Sequence, residues 1–100
     1  MALDIYYSPQ FVNDLEGILT FFDERNGNDV FSRKLLNIIH TQIQLLSKMP
    51  EIGRQTDFPS VRILFVERFG IEYQIRNNSI LVIDIYSFLT KQDSRMFQKK

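Results

Sequence analysis

The 100-residue chain contains no cysteine. This absence excludes disulfide scaffolds, metal sites built from thiolates and cysteine nucleophiles, and it fits a reducing compartment. No apolar run approaches the roughly 18 residues that a membrane span requires, and the first residues do not resemble a leader with a basic region and an apolar core. We therefore expect a cytoplasmic protein with no membrane contact. The length and a hydrophobic content of 44% predict a single domain over residues 1–100.

The chain also lacks an excess of charge of either sign, since 12 Lys and Arg balance 12 Asp and Glu. A dedicated nucleic-acid binder normally carries a basic excess. The balance is nevertheless uneven along the chain: residues 1–30 hold six acidic residues and one basic residue, whereas residues 91–100 hold four basic residues and one acidic residue. Any contact with RNA or DNA is therefore predicted to be local, and its candidates are the basic residues of the tail, Lys91, Arg95, Lys99 and Lys100.

The first half of the chain has the pattern of a strand followed by two amphipathic helices. Alternation around Ile5 predicts a short strand, and Ser8 and Pro9 are typical of an N-cap and a first helical residue. Gly27 predicts a left-handed residue between the helices, with Asn28 or Asp29 as the next cap. The second helix is predicted to end at Pro50. Its apolar stripe is predicted to comprise Phe31, Leu35, Ile38, Ile39, Leu45 and Leu46, widened by Val30, Leu36, Ile43 and Met49.

The second half changes to a period of two. Residues 50–60 contain two prolines and one glycine without periodicity, which predicts a loop. Three strands follow: one places Val61, Ile63 and Phe65 on its apolar face with Arg62 pointing away, one alternates through Tyr73, and one is apolar on both faces. Asn77 and Asn78 suit the positive φ angles of a hairpin turn. The prediction is an α+β fold of order β-α-α-β-β-β, with a mainly antiparallel sheet covered by a helical hairpin.

These elements, together with two motifs, resemble the RelE/ParE superfamily of toxins from bacterial type II toxin–antitoxin systems. The motifs are the exit from the second helix, residues 46–54 (LSKMPEIGR), and the arginine-bearing strand, residues 61–66 (VRILFV). The resemblance covers nearly the whole chain and implies a cognate antitoxin as partner. It also implies one of two activities: RelE-like members cleave mRNA in the ribosomal A site through attack by the 2′-OH, and ParE-like members poison DNA gyrase.

The cleavage reaction needs a base, cations that stabilise the phosphorane and an acid for the leaving oxygen. Arg62, Arg54 and Arg68 are the candidate phosphate clamps, because a guanidinium presents forked donors to phosphate. The resemblance offers Tyr86 as the general acid. A solvated or paired Arg62 and a half-buried aromatic at Tyr86 are the structural alternatives. Many RNase members carry an arginine where this chain has Gly70. That glycine favours a ParE-like toxin that inhibits growth, with an mRNA interferase as the alternative.

A degenerate member without toxicity, acting as a binding module, is the third interpretation. Each of the three interpretations implies a protein partner. The wide apolar surface of the second helix predicts a groove for an amphipathic antitoxin helix, formed by Leu36, Ile43 and Met49. The alternative is that these residues are buried in the chain's own core. His40 has no partner at ligand spacing, and no phosphate-binding glycine loop is present. We therefore predict no metal, no cofactor and no small-molecule ligand.

Overall fold

The computed structural model describes residues 2–87, which form two helices and five strands. The elements are β1 (Asp4–Tyr7), α1 (Pro9–Asn26), α2 (Val30–Leu45), β2 (Arg54–Gln55), β3 (Val61–Val66), β4 (Phe69–Ile75) and β5 (Ser79–Ser87).

The five strands form one sheet in the order β1-β5-β4-β3-β2. β1 pairs with β5 in parallel, and the other three pairs of neighbouring strands are antiparallel. The predicted α+β class, with a mainly antiparallel sheet and two helices, is confirmed. One element was missed: the predicted loop contains β2, a strand of two residues that pairs with Ile63 and Arg62. A strand of two residues is too short to show an alternation of apolar and polar side chains. Only its pairing with β3 makes it recognisable.

The caps of α1 are those that the sequence predicts. The Ser8 side chain accepts a hydrogen bond from the Phe11 N–H at 3.0 Å and donates one to the carbonyl of Ile83 at 2.6 Å. Pro9 is the first helical residue, where its missing donor is no loss. Gly27 ends the helix at φ 74°, in the left-handed conformation. The Ser8 cap therefore also fastens the start of α1 to the central strand β5.

The buried stripe of α2 differs from the predicted one. The side chains that enter the core are Leu35, Ile39, Ile43 and, just after the helix, Leu46, at spacings of four and three residues. Phe31 and Leu45 were assigned to this stripe but are 42% and 38% exposed. The helix was also predicted to continue to Pro50, but it ends at Leu45. Apolar residues of α2 come in adjacent pairs, such as Leu35 with Leu36 and Ile38 with Ile39, so spacing alone did not decide which face is covered.

The faces of the sheet follow from the strand register, because directly opposed residues share a face. In β4 and β5 the core face carries Ile71 with Ile85 and Tyr73 with Val82, all of them buried. In β3 the same face carries Arg62, Leu64 and Val66, since these pair with Tyr73, Ile71 and Phe69. The predicted assignment of Val61, Ile63 and Phe65 to the core face, with Arg62 pointing away, was wrong. Phe65, on the open face, is 48% exposed.

Two hairpin turns join β3, β4 and β5. Glu67 and Arg68 connect β3 to β4, and Glu67 takes φ 57°, a value that L-residues other than Asn and Asp seldom adopt. The turn at Asn77 and Asn78 was predicted to use positive φ, but within residues 2–87 Glu67 is the only non-glycine residue with such a value. The turn with a strained residue is therefore the one between β3 and β4, where no residue typical of positive φ angles is present.

Candidate functional site

Arg62, the first candidate for a phosphate clamp, is committed to the protein's own backbone. Its Nη1 donates to the carbonyl oxygens of Glu51 at 3.1 Å and Gly53 at 2.8 Å. Its Nε is buried and has no hydrogen-bond partner. The guanidinium therefore lies on the core face of β3 and holds the chain that leaves α2, which leaves it poorly placed to grip an external phosphate.

Tyr73 is the second half of this arrangement. It lies opposite Arg62 on β4, is fully buried, and donates from its hydroxyl to the carbonyl of Pro50 at 2.7 Å. The same hydroxyl accepts from the N–H of Gly53 at 2.9 Å. Burial raises the pKa of Tyr73, so the hydroxyl keeps its proton for the bond to Pro50 at neutral pH. We call the Arg62 and Tyr73 side chains with the backbone of residues 50–53 the loop clamp.

Gly53 is the position at which the loop clamp tolerates no side chain. A Cβ there would lie 2.5 Å from the Tyr73 hydroxyl, 2.7 Å from the Tyr73 Cε1 atom and 3.0 Å from the carbonyl oxygen of Ile63. All three contacts are shorter than ordinary packing allows. The proline–glycine–arginine exit from α2 is therefore explained by packing: the glycine admits the tyrosine hydroxyl, and the next residue begins β2.

Arg54 and Tyr86 lie elsewhere. Arg54 is exposed on β2 and pairs with Ile63, whose side chain is on the open face of the sheet. Tyr86 of β5 pairs with Gly70, which pairs with Phe65 on its other side, so the register assigns Tyr86 to the open face as well. Three strand spacings separate β2 from β5, about 14 Å across the sheet. The sheet thus separates Arg62 from Tyr86 by face and Arg54 from Tyr86 by distance.

The surroundings of Tyr86 are acidic. Burial raises the pKa of Tyr86, and the nearby carboxylates of Glu72 and Asp84 raise it further. Asp84 pairs with Glu72 across the strands. Burial and a hydrogen bond with Asp14 of α1 raise the pKa of Asp84 to about 6. Carboxylates at this position repel phosphate, so the setting is unsuited to the leaving group of an RNA cleavage reaction.

The predicted antitoxin contacts separate into two kinds. Leu36 and Met49 are 41% and 47% exposed. Ile43 is 1% exposed and packs in the core, so the alternative of burial in the chain's own fold holds for this residue. The basic candidates Lys91, Arg95, Lys99 and Lys100 lie outside the described residues.

Sequence reasoning missed an exposed aromatic cluster where α1 meets α2. Phe22 contacts Phe21 and Phe31, with ring centroids 5.1 Å and 4.8 Å apart, and the Arg25 guanidinium lies 6.0 Å from the centre of the Phe21 ring. Phe21 is 53% exposed. The available signal for this cluster was the presence of three phenylalanines near the turn between the two helices. Helical spacing, however, assigns Phe22 and Phe31 to the core stripes of their helices.

The described residues show neither a metal centre nor a membrane segment. Over residues 2–87, no three His, Cys, Asp or Glu side chains are grouped so that they could hold a metal ion. Neither described helix is both long enough and apolar enough to cross a membrane.

Comparison with known proteins places this fold among toxins. The model of the family described as the ParE toxin of the type II toxin–antitoxin system parDE matches residues 5–88. The chromosomal ParDE system of P. aeruginosa has 20% identity to this chain at a TM-score of 0.75, and the match covers 86% of this chain and 96% of that one.

Two further solved structures share the fold. The E. coli DinJ–YafQ toxin–antitoxin complex has 15% identity and a TM-score of 0.59, covering 90% of this chain and 97% of its own. A conserved hypothetical protein from Helicobacter pylori has 13% identity and a TM-score of 0.53, covering 85% and 93%. No curated protein matches the chain significantly. The family match over most of the chain settles its membership: the chain belongs to the ParE toxin family of type II toxin–antitoxin systems.

Proposed function

We propose that this toxin inhibits growth by acting on DNA gyrase, that it does not cleave mRNA, and that a cognate antitoxin neutralises it. The observation that carries the proposal is the dispersal of the groups that RNA cleavage needs. Arg62 is bonded to two backbone carbonyls on the core face, and Tyr86 lies on the open face among carboxylates. A phosphorane held by Arg62 would therefore not have the Tyr86 hydroxyl in reach as its acid.

Gly70 adds to this argument. It is buried between Phe65 and Tyr86 in the strand register. The arginine that many RNase members carry at this place would have to enter a space shared by two aromatic residues. The glycine therefore leaves this position between two aromatic side chains without a cation from β4.

An antitoxin partner is supported by the solved relatives, which include a ParDE system and a DinJ–YafQ complex. It is also supported by the apolar side chains that α2 and the following turn leave exposed, Leu36 and Met49 among them. We propose these two residues as antitoxin contacts. Single apolar residues on a surface are common, so substitution of each side chain decides whether it contacts the antitoxin.

The target is tested by inducing the protein in a bacterial host and assaying two reactions with purified toxin: supercoiling by gyrase, and cleavage of mRNA on ribosomes. We expect growth arrest and inhibition of supercoiling without cleavage, unchanged in the variant Tyr86→Phe. Cleavage that is lost in Tyr86→Phe, with the far-UV circular dichroism spectrum unchanged, would establish the interferase instead. Folded protein without growth arrest would favour a binding module that has lost toxicity.

The antitoxin contact is tested separately by co-expressing the toxin with the neighbouring reading frame. Leu36→Asp and Met49→Asp are expected to weaken capture of that partner at least tenfold, because each buries a charge in an apolar contact. Asn37→Asp is the matched control, since Asn37 is exposed and polar on the same helix. Equal capture by all three variants would refute the assignment of Leu36 and Met49.

A further inference from the structure

The hairpin formed by β2 and β3 carries the most exposed aromatic side chain among residues 2–87. Phe58 lies in the loop of this hairpin, residues 56–60, and is 67% exposed. It is not part of the hydrophobic core, and within the described residues its ring contacts no other aromatic ring. The Phe58 ring therefore adds little to the stability of the fold, and the proposed antitoxin contact does not use it.

The backbone of Phe58 is nevertheless held in place by hydrogen bonds on both sides. Its N–H donates to the Thr56 hydroxyl at 3.1 Å, and its carbonyl accepts from the N–H of Val61 at 3.0 Å. The Thr56 hydroxyl in turn donates to the carbonyl of Val61 at 2.9 Å, which ties the two ends of the loop together. Pro59 restricts the loop further, because its ring fixes its own φ angle. The loop therefore presents the Phe58 ring in a defined position.

The loop is also fastened to the sheet. Ile75 of β4 donates its N–H to the carbonyl of Ser60 at 2.8 Å, and the side-chain amide of Gln74 donates to the Ser60 hydroxyl at 3.4 Å. At the other end of the loop, β2 pairs with β3. Two neighbouring strands therefore support the loop, and Phe58 is carried by a rigid part of the molecule.

A rigidly held, exposed phenylalanine has the properties of an anchor in a protein–protein contact. Single exposed apolar side chains are common, so exposure alone does not indicate a partner. What distinguishes Phe58 is that its backbone is already ordered, so binding through it costs little conformational entropy. Aromatic side chains are enriched at the centres of protein interfaces, where they fill apolar pockets of the partner. This surface therefore fits a protein that offers an apolar pocket for a phenyl ring.

We propose that Phe58 is the residue by which the toxin anchors itself in an apolar pocket of its protein target. The inference rests on the proposed function, in which that target is DNA gyrase. The antitoxin contacts were assigned to Leu36 of α2 and to Met49 after it, whereas Phe58 belongs to the β2–β3 hairpin. The toxin thus has apolar contacts on two different elements, and the contact on the hairpin is the one for the target.

Two phenylalanine variants of the full-length protein test the anchor in the supercoiling assay. Phe58→Ala should raise the toxin concentration that half-inhibits gyrase at least about tenfold, because the truncation empties the pocket. It should melt at the same temperature as the parent, since the ring is exposed. Phe21→Ala is the matched control: Phe21 is 53% exposed on α1, and its variant should inhibit like the parent. Equal inhibition by the parent and Phe58→Ala would overturn the proposal.

Growth arrest on induction separates a wrong anchor from a wrong target. If the parent does not inhibit supercoiling, the gyrase assignment fails, but the toxin still needs a contact with whatever protein it arrests. Phe58→Ala is then expected to relieve the arrest, with Phe21→Ala as toxic as the parent. Arrest that persists in a folded Phe58→Ala protein would refute the anchor whichever protein is the target.

Two variants of Thr56 test whether the fixed backbone matters. Thr56→Val keeps the branched shape but removes the hydroxyl that bonds Phe58 and Val61. It should weaken inhibition although the Phe58 ring is still present, because the loop must then be ordered on binding. Thr56→Ser keeps the hydroxyl and should inhibit like the parent. Equal inhibition by Thr56→Val and Thr56→Ser would contradict an anchor that depends on its loop.

Co-expression with the neighbouring reading frame tests whether Phe58 serves the target or the antitoxin. Phe58→Ala should capture the antitoxin as well as the parent does, because its contacts lie on α2 and the turn after it. Loss of capture by Phe58→Ala, with inhibition of supercoiling intact, would assign the residue to the antitoxin and contradict the proposal.

Discussion

Replacing Gly53 with alanine tests whether the loop clamp is as tightly packed as its distances indicate. The new Cβ would lie 2.5 Å and 2.7 Å from two atoms of the Tyr73 ring system and 3.0 Å from the carbonyl oxygen of Ile63. Tyr73 is fully buried and its hydroxyl serves two backbone groups, so it has no free direction in which to move. Overpacking costs about 1–3 kcal/mol, and the weakened hydrogen bonds add about 1 kcal/mol. We expect Gly53→Ala to lower the free energy of unfolding by about 2–4 kcal/mol.

The same substitution at Gly17 is the control, with the opposite sign expected. A Cβ at Gly17 meets no atom within 4 Å, and the residue lies inside helix α1. Gly17→Ala should therefore raise the free energy of unfolding by about 0.5–1 kcal/mol through helix propensity. Urea denaturation followed by far-UV circular dichroism measures both values. A Gly53→Ala protein as stable as the parent would refute the packing described for the loop clamp.

A double-mutant cycle assigns the loss to the tyrosine. Tyr73→Phe alone leaves the N–H of Gly53 and the carbonyl of Pro50 without their partner, at a cost of about 1–3 kcal/mol. In that background, Gly53→Ala should cost less by at least about 0.5 kcal/mol, because the nearest atom in its path is gone. Additive losses would mean that Gly53 acts through something other than the Tyr73 hydroxyl.

Three further predictions concern the turn at Glu67, the carboxylate of Asp84 and the hydroxyl of Tyr86. Glu67→Gly should raise the free energy of unfolding by about 0.5–1 kcal/mol, since φ 57° is costly for glutamate and free for glycine, and a lower stability in urea would contradict this. Asp84 has a pKa of about 6 in the folded protein against an ordinary value of 3.8, so the stability that its proton contributes is complete below pH 4 and is lost as the pH rises through 6. Asp84→Asn should therefore stabilise the protein above pH 6, on the order of 1 kcal/mol after solvent screening, and have little effect at pH 4, whereas an equal effect at both pH values in thermal melts would refute it. Tyr86→Phe should leave growth arrest on induction unchanged, and loss of arrest by a protein that still melts cooperatively would contradict a mechanism without cleavage.

The parts of the fold that sequence predicted are those determined locally. Ser8 and Pro9 begin α1, and Gly27 ends it, because each satisfies a geometric need of the adjoining turn. The alternation through Tyr73 was also predicted, and in the structure Tyr73 is buried on the core face of β4. These signals depend on a few neighbouring residues, so they can be seen without the rest of the chain.

The features that could not be predicted from the sequence depend on contacts with residues distant along the chain. β3 carries apolar residues on both faces, so alternation does not decide which face is covered, and Arg62 seemed better suited to water. In the structure Arg62 is on the core face because the carbonyls of Glu51 and Gly53, contributed by the chain after α2, receive its donors. The phosphate-clamp hypothesis for Arg62 depended on the same expectation that its side chain faces solvent. Ile43 was likewise offered as a partner contact, although the sheet and α1 leave it 1% exposed.

The assay of supercoiling by DNA gyrase with the purified toxin, run beside cleavage of ribosome-bound mRNA, distinguishes a gyrase inhibitor from an mRNA interferase. We expect inhibition of supercoiling by the parent protein and by Tyr86→Phe, with intact mRNA in both. Intact supercoiling together with mRNA cleavage that Tyr86→Phe abolishes would contradict it.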